Sequence, residues 1–456
     1  MSASPDARPA LSVAEALAAV LRRARALPVE EVLLEHAIGR ALAVDLVSRV
    51  TLPPWDNAGM DGYAVRADDV LGASATAPCA LSVRGSLAAG SQERPEVTAG
   101  TCVRIMTGAP LPPGADAVVR VEDTDRDDRL VRIVDDRDVR TPTRNVRPRG
   151  EDIREGDAVA AAGDTITPAL LGVLASVGEA TVPVHRAPRV VLASSGDELL
   201  PVTALDDVRA GRGIISSSTY ALPALLRAAG AEVRVLPTLA DDPELLRDAL
   251  GRALEHDCDL LVTTGGVSMG AHDHLRDVIV SLGGRIDVHR VRVRPGGPMS
   301  AGHVLGTPWL GLPGNPVSTL VTAELFVRPV IRALGGHRRV RPRPVLVRLA
   351  EAVSAPAALT FYLRARLAVG EDGVLEAHLT GSQGSNLLTS MARADALLQI
   401  DGPQAQVAAG TMVAALLLDG AQFDAPWHDT ASHDAERHDI AAHEAEPTDA
   451  AARGTA

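Results

Sequence analysis

Several short stretches combine oxyanion-binding residue types with positions where a strand hands over to a helix. The apolar run Leu260-Leu261-Val262-Thr263 leads into Thr264-Gly265-Gly266-Val267-Ser268-Met269-Gly270, and Asp273 follows as a helix begins near His272. Paired glycines after a strand let backbone N–H groups approach an oxyanion, and the next helix adds the positive end of its dipole. Asp273 has two readings here, a contact to metal or phosphate and an ordinary acid stabilising the dipole. A second loop, Gly311-Leu312-Pro313-Gly314-Asn315-Pro316-Val317-Ser318, is stiffened by prolines on either side of Gly-Asn. Its plainer reading is a helix start with proline at the first position.

Acids recur in the same kind of place. Ser194-Ser195-Gly196-Asp197-Glu198 follows one apolar run and Asp241-Asp242 follows the next. Singly, each acid reads as a cap or turn residue. Carboxylates gathered beside phosphate-binding loops point to Mg2+, which takes oxygen ligands and substrate phosphates. Nearer the N-terminus, Pro53 to Ala64 is a dense turn segment carrying Asp56 and Asp61, and Arg104 to Pro110 sets the Thr107 hydroxyl at a strand end. Asn145 to Asp152 places Arg147 and Arg149 beside Glu151 and Asp152.

The elements that must position these residues are legible in the hydrophobic pattern. Ser12-Val13-Ala14-Glu15 is a capping-box signature, and Val13, Leu17, Val20 and Leu21 share a face, which predicts a helix running to about Leu27 before Pro28. From about 51 to 145, short Val/Ile-rich runs alternate with Gly/Pro turns, a β-rich pattern. A helical stretch, Pro168–Val177, lies in the segment that follows. From 188 to 335 strand and helix alternate. Strands are expected at Arg189–Ala193, Glu232–Leu236, Leu260–Thr263, Ile286–Val293 and Trp309–Leu312. Helices are expected at Ser217–Ala229, Pro243–His256, His272–Ser281 and Val317–Leu334. That alternation predicts a mostly parallel sheet with ligands at the carboxyl ends of its strands. Residues 343–420 return to short strands.

Composition narrows the class. The 456 residues exceed what one core accommodates, so several domains are expected. Aromatics are only 2% and the net charge is −13, which argues against base stacking and against anionic membranes or nucleic acid as partners. All 45 Lys+Arg residues are arginine, a residue that grips oxyanions but cannot act as a general base. Cys79, Cys102 and Cys258 show no ligand spacing and fit a reducing compartment. No signal pattern opens the chain and no apolar run approaches the ~20 residues that cross a bilayer, so a cytoplasmic protein is expected. Beyond about residue 424, His428, His433, His438 and His443 recur every five residues, each followed by an acid. Five residues turn a helix by about 140°, so these histidines share no face; a disordered acidic repeat is the plain reading and metal buffering the other.

Taken in order, Pro-Pro-x-Asp-Asn-x-x-Met-Asp-Gly-Tyr-Ala (53–64), Arg-Ile-Met-Thr-Gly-Ala (104–109), Arg-x-x-Gly-Glu-Asp, with Arg147 opening it and Asp152 closing it, Ser-x-Gly-Asp-Glu-Leu (194–199), Gly-Gly-Val-Ser-x-Gly (265–270) and Leu-Pro-Gly-Asn-Pro-Val-Ser (312–318) resemble the MoeA family of molybdopterin molybdenumtransferases, which includes the E domain of gephyrin. The resemblance covers residues from about 12 to 418. It implies transfer of molybdate into adenylylated molybdopterin, giving molybdenum cofactor plus AMP, with Mg2+ held by Glu198, Asp242 and Asp273. By matching motif it assigns catalytic roles to Asp61, Thr107, Asp152, Glu198, Asp242 (or Asp241) and Asp273. Gly265, Gly266, Ser268, Arg290, Arg294, Pro313, Pro316 and Ser385 are the expected substrate-binding residues. It further implies a homodimer with a composite active site, and a molybdopterin adenylyltransferase as a candidate partner.

The expected fold class is multidomain α/β plus β, and elongated. A central α/β molybdopterin-binding domain (1–29 with 180–336) has helices on both faces of its sheet. A linker and dimerisation domain (30–50 with 146–179), a β-rich domain (51–145), a C-terminal β-barrel-like domain (337–420) and a tail (421–456) complete it. The chain departs from the family's basic Lys-x-x-x-Lys-Pro-Gly-Lys-Pro run, reading Arg290-Val291-Arg292-Val293-Arg294-Pro295-Gly296-Gly297-Pro298. Arg290 and Arg294 keep the charge, whereas Gly297 removes a cation. Asp395 stands where the family shows asparagine. The alternative function is therefore a molybdopterin-binding paralogue without insertase activity.

Overall fold

The structure is a computed structural model that describes residues 9–141, 144–266, 274–356, 358–401 and 406–420. Ser268, Asp273 and the histidine-bearing tail lie outside the described residues. Chain contacts divide into two units, Met1–Pro28 with Arg186–Ala456, and Val29–His185. The expected boundaries at 29 and 180 shift for a plain reason. The strand Thr181–His185 pairs antiparallel with Val29–Leu33, so both segments fold with the inserted unit.

In the first unit, alternating buried residues build a six-stranded sheet in the order Glu232–Val235, Arg189–Ser194, Leu260–Thr264, Thr307–Leu312, Ser300–Val304, Arg285–Val288. The first four strands are mutually parallel, with Val190 opposite Leu260 and Leu261 opposite Trp309. Successive side chains in a strand point to opposite faces. Val190, Leu192, Leu260, Val262, Leu310 and Leu312 accordingly pack under the helices Val13–Leu21, Ser218–Ala228 and Pro316–Thr322. Val191, Ala193, Leu261 and Trp309 pack under Pro243–Leu254 and Leu275–Ser281. Trp309 is fully buried, and its indole N–H donates to Thr263 Oγ1 at 3.1 Å.

Four expectations need correction. The Ile286–Val293 strand ends at Val288, and Val293–Arg294 instead pairs with Thr360–Phe361 of the C-terminal module. The strand Ser300–Val304 was not anticipated. It returns to Thr307–Leu312 through Leu305-Gly306, both at positive φ, a two-residue hairpin turn without the usual Asn-Gly signal. The Val317–Leu334 helix is interrupted by a π turn at Ala323–Val327, because Pro329 has no N–H to continue the ladder. The first helix also stops early, at Leu21, although its capping box forms as expected. Ala24 and Leu27 then pack on the core in irregular backbone, and Leu27 N–H donates to Leu334 O at 2.8 Å.

Beyond the sheet, Val345–Leu349, Thr360–Val369, Leu375–Leu379, Ala396–Ile400 and Met412–Leu417 close into a barrel. Closure comes from Thr360–Val369 pairing on both sides, with Leu375–Leu379 and with Ala396–Ile400. Phe361, Leu363, Ala365 and Leu367 face its core.

The inserted unit holds a five-stranded sheet in the order Ala117–Arg120, Gly62–Val65, Thr101–Ile105, Cys79–Leu87, Leu130–Ile133. A smaller core of Ala37, Leu42, Ile166, Leu174, Val182 and Val184 forms where residues 29–47 meet 158–185. No helix among the described residues is long and apolar enough to cross a membrane.

Replacing Thr263 by valine leaves the Trp309 indole N–H without its acceptor in a dry core. Thr263→Val should lower stability by about 1–3 kcal/mol, read from urea unfolding followed by tryptophan fluorescence. An unchanged midpoint would mean the indole has another acceptor.

Candidate functional site

At the carboxyl edge of the parallel sheet, three loops are sewn together by main-chain hydrogen bonds. Ser195 N–H donates to Thr264 O at 3.1 Å, and Gly265 N–H donates to Leu312 O at 3.2 Å. The Ser195–Gly196 loop is tied in turn to Leu239, whose N–H donates to Ser194 O at 2.9 Å. The crossing at Gly265 admits no side chain. Its φ is +85°, and a Cβ there would lie 2.4 Å from Ser195 O. The Ser195 hydroxyl is buried in this crossing and has no hydrogen-bond partner among the described residues. An unspent buried donor beside two glycines is what an oxyanion ligand would satisfy.

The acids occupy the rim. Glu198 is exposed and folds back over Gly196, where a Cβ would meet its carboxylate oxygen at 2.7 Å. Asp197 Oδ1 accepts from Asp241 N–H at 3.1 Å. Asp242 is the N-cap of Pro243–Leu254, its Oδ1 accepting from the N–H groups of Glu244 and Leu245, each at 2.9 Å. Of the two adjacent acids, Asp242 therefore has an ordinary structural task, and Asp241 lies beside Asp197. Among the described residues no three His, Cys, Asp or Glu side chains converge as metal ligands.

The proline loop is held rigidly. Thr319 Oγ1 donates to the carbonyls of Pro313 at 2.6 Å and Asn315 at 3.0 Å, and Pro316 opens the Pro316–Thr322 helix. Val317 N–H reaches across to Ser385 O at 3.1 Å, so the Ser385 loop of the barrel meets the proline loop.

Next to that junction lies a cavity of about 500 Å³ lined by Arg294, Pro295, Phe361, Tyr362, Arg364, Ser382 and Gln383 among others. Arg294 sits over the Phe361 ring, 5.8 Å from its centroid. Arg364 is fully buried. Its Nε donates to Ser390 Oγ at 2.8 Å and Nη2 to the carbonyls of Gly384 and Ser382, at 3.1 and 3.3 Å. Nη1 has no partner among the described residues, and every acceptor the guanidinium has found is neutral. Burial pulls its pKa below the ordinary arginine value. Sequence reasoning missed Arg364. In Phe361-Tyr362-Leu363-Arg364-Ala365-Arg366 it occupies the polar positions of an alternating strand, which normally face water. Only the fold shows the 382–390 segment covering that face.

Arg290, expected beside Arg294, does not line the cavity; its carbonyl accepts from Leu11 N–H at 3.0 Å. At Gly297 a Cβ would lie 3.2 and 3.3 Å from the carbonyl oxygens of Val293 and Val291, a tight fit for any side chain.

The inserted unit carries its own cluster. Ala58 N–H donates to Ala109 O and Gly108 N–H to Ala58 O, while Gly59 N–H donates to Asn145 O. The three sequence segments singled out there thus converge. Asp61 Oδ1 accepts from both Thr107 N–H and Thr107 Oγ1, each at 2.7 Å. These bonds, the main-chain one first, hold the Asp61 pKa below the ordinary carboxylate value. Asp152 is exposed on the adjoining loop, its N–H donating to Leu52 O at 3.1 Å, and Arg149 N–H donates to Asp56 Oδ1 at 2.7 Å.

Comparison with known proteins matches these parts in order. Residues 11–178 match the MoeA N-terminal region (domain I and II), 192–333 the "Probable molybdopterin binding domain" and 347–418 the MoeA C-terminal region (domain IV). The chain belongs to the MoeA family. Its similarity to molybdopterin molybdenumtransferase 2 of Mycobacterium tuberculosis is 38% identity over 387 residues, covering 83% of this chain and 93% of that one. For the molybdopterin molybdenumtransferase of Nostoc sp. the identity is 35%, over 84% and 87% of the two chains. The crystal structure of the molybdopterin biosynthesis moeA protein from Pyrococcus horikoshii OT3 superposes with a TM-score of 0.76 at 26% identity, covering 90% of this chain and 100% of that one. The α/β sheet and the closed C-terminal barrel are thus family architecture.

The Asp61–Thr107 pair has a titration signature. A depressed carboxylate contributes stability above its unfolded pKa, and that contribution is lost as pH falls through the folded value. Thr107→Val keeps the main-chain donor and removes the hydroxyl, so the Asp61 pKa should rise part-way toward the ordinary value. A carboxyl NMR titration in which Asp61 is unmoved by Thr107→Val would show that the hydroxyl bond is not made.

Proposed function

We propose that this chain is a molybdenum insertase, transferring molybdate into adenylylated molybdopterin to give molybdenum cofactor plus AMP in the last step of cofactor synthesis. The observation that carries the reading is Arg364, a buried guanidinium with only neutral acceptors, on a cavity it shares with Arg294. A charge desolvated without a counter-ion is costly unless a ligand supplies the opposite charge. Molybdate, a doubly charged tetrahedral oxyanion, has the charge and size for two planar guanidinium forks. The pterin phosphate side belongs at Gly265-Gly266, where the Ser195 hydroxyl is buried without a partner among the described residues. Pro313, Pro316 and the Ser385 loop form the bridge between these two places.

Magnesium fits this site only in part. Glu198, exposed beside Gly196, offers the oxygen donors Mg2+ takes, whereas Asp242 Oδ1 is already committed to its helix. The described residues alone do not make a Mg2+ site, and Asp273, the third expected ligand, lies outside them. When bound, the metal would offset charge on the phosphoanhydride.

The working unit in this reading is a homodimer. Val29, Leu33, Ile38, Val44 and Val47 are large apolar side chains exposed within one short stretch of the inserted unit, a surface suited to a second copy of this chain. Asp61 and Thr107 of one subunit then serve the site of the other. Gly297 favours the alternative, a molybdopterin-binding paralogue without transfer, because it removes a cation from the Arg290–Pro298 run.

AMP release from adenylylated molybdopterin on adding molybdate separates the two. Molybdate-dependent release is expected, and binding without release would establish the paralogue. Arg364→Gln should raise the molybdate requirement by about 100-fold while leaving molybdopterin affinity in place, and no change in that requirement would remove the oxyanion assignment.

Sharing between subunits has a separate test. Asp61→Asn and Asp273→Asn should each be inactive alone. Mixed and allowed to exchange, half the dimers carry one intact site, so about a quarter of wild-type activity should return. No recovery, with exchange confirmed by mass, would place each site within one chain.

A further inference from the structure

Another arginine, outside the cavity, grips the loop that supplies Arg294. Arg276 lies in the first turn of the Leu275–Ser281 helix and is half-buried. Its Nε donates to Ser300 Oγ at 2.9 Å, and its Nη2 donates to the carbonyl oxygens of His289 at 2.9 Å and Pro298 at 3.4 Å. Ser300 is fully buried, and its hydroxyl donates onward to His289 O at 3.4 Å. His289 opens the segment joining the Arg285–Val288 and Ser300–Val304 strands, and Pro298 stands one residue before its end. Arg290, Arg292, Arg294 and Gly297 all lie between them.

That segment has little regular structure of its own. Val293–Arg294 pairs briefly with Thr360–Phe361, and Val291 N–H donates to Gly297 O at 3.0 Å across its neck. A planar guanidinium with donors fixed in a fork can hold both ends at once, which a single ammonium cannot do with the same geometry. The residue before Arg276 faces the other loop. A Cβ on Gly266 would lie 3.0 Å from Leu275 Cβ, so Leu275 packs directly on the paired-glycine loop. One helical turn therefore touches the pterin-side loop with one residue and clasps the arginine loop with the next.

We infer that Arg276 is a positioning residue, a clasp that fixes the 289–298 loop against the Gly265-Gly266 loop and so sets where Arg294 meets the oxyanion. The inference rests on the oxyanion reading of the Arg294–Arg364 cavity. Arg276 touches no substrate in it. Its effect falls on the placement of Arg294, and small misplacements of a substrate-positioning group carry large rate penalties.

The test uses the full-length protein, molybdate as the titrated probe, AMP release as one readout and direct molybdopterin binding as the other. Arg276→Gln should raise the half-saturating molybdate concentration by about tenfold and leave the molybdopterin Kd within about twofold. Arg276→Lys, which reaches one carbonyl but cannot straddle both, should fall between Gln and wild type. An equal loss in both readouts, or none in either, overturns the clasp. Should Arg276→Gln fail to fold, Ser300→Ala removes the Nε acceptor together with the serine's own bond to His289 O, leaves both Nη2 carbonyls in place, and should shift the molybdate requirement in the same direction; no shift overturns the inference as well. Arg364→Gln run alongside tells the two ideas apart. If it too leaves the molybdate requirement untouched, the oxyanion reading fails; if it raises that requirement while the Arg276 variants do not, only the clasp fails.

Discussion

The approach of the Ser195 carbonyl to Gly265 constrains everything at the sheet edge. With a Cβ at 265 held 2.4 Å from that oxygen, the two strand ends could not converge, and Ser195 N–H could not reach Thr264 O. Convergence is what turns separate strand-to-helix turns into one concave surface, as expected where parallel strands end together. It also buries the Ser195 hydroxyl and sets Glu198 on the rim. The same crossing receives Gly265 N–H on Leu312, so the proline loop is fixed by it, and through Val317 and Ser385 the barrel is fixed in turn. The glycine is thus a packing requirement of the crossing itself.

The barrel presents the opposite economy. Its strands bury Arg364 and pair it with two carbonyls and a serine, which stabilise a charge less well than a carboxylate would. Elsewhere the chain shows no shortage of acids for its arginines. Arg348 is held by both Asp372 and Glu376, and Arg186 meets Asp259 with paired bonds of 2.7 and 2.8 Å. Arg276 also meets a serine and two carbonyls, and what sets Arg364 apart is its full burial and its place on the cavity. A carboxylate there would satisfy the guanidinium permanently and shut out an incoming oxyanion.

How much of this was legible in the sequence depends on what carried the signal. The parallel strands around Leu260–Thr264 were plain, because strands buried on both faces read as unbroken apolar runs. The Ser300–Val304 strand was hidden, since its turn puts Leu305, where Asn, Asp or Gly is usual, at positive φ ahead of Gly306. The resemblance assigned roles to Asp61 and Thr107 separately, and their hydrogen bonds were not legible, since nothing local relates positions so far apart. Arg364 could not be found at all from alternation, because its strand's second face is covered by the Ser382–Ser390 segment of the same barrel. Asp242 illustrates the converse. Its motif position marked it for function, while Asp-Pro-Glu at a helix start is also an ordinary N-cap, and the hydrogen bonds show that role.

A chain whose only strong cations are arginines has consequences for how such a site responds to pH. Guanidinium groups stay protonated across the physiological range, and burial pulls the Arg364 pKa below the ordinary arginine value. The cationic side of the oxyanion cavity is therefore constant with pH. Asp61, with its pKa depressed by Thr107, also stays ionised until well into the acid range. Among the described residues no histidine lines the cavity. In the proposed reading, specificity at this site rests on geometry: the Pro313–Pro316 loop, the crossing at Gly265 and the held ends of the arginine loop would decide which oxyanion fits between charges that are always present.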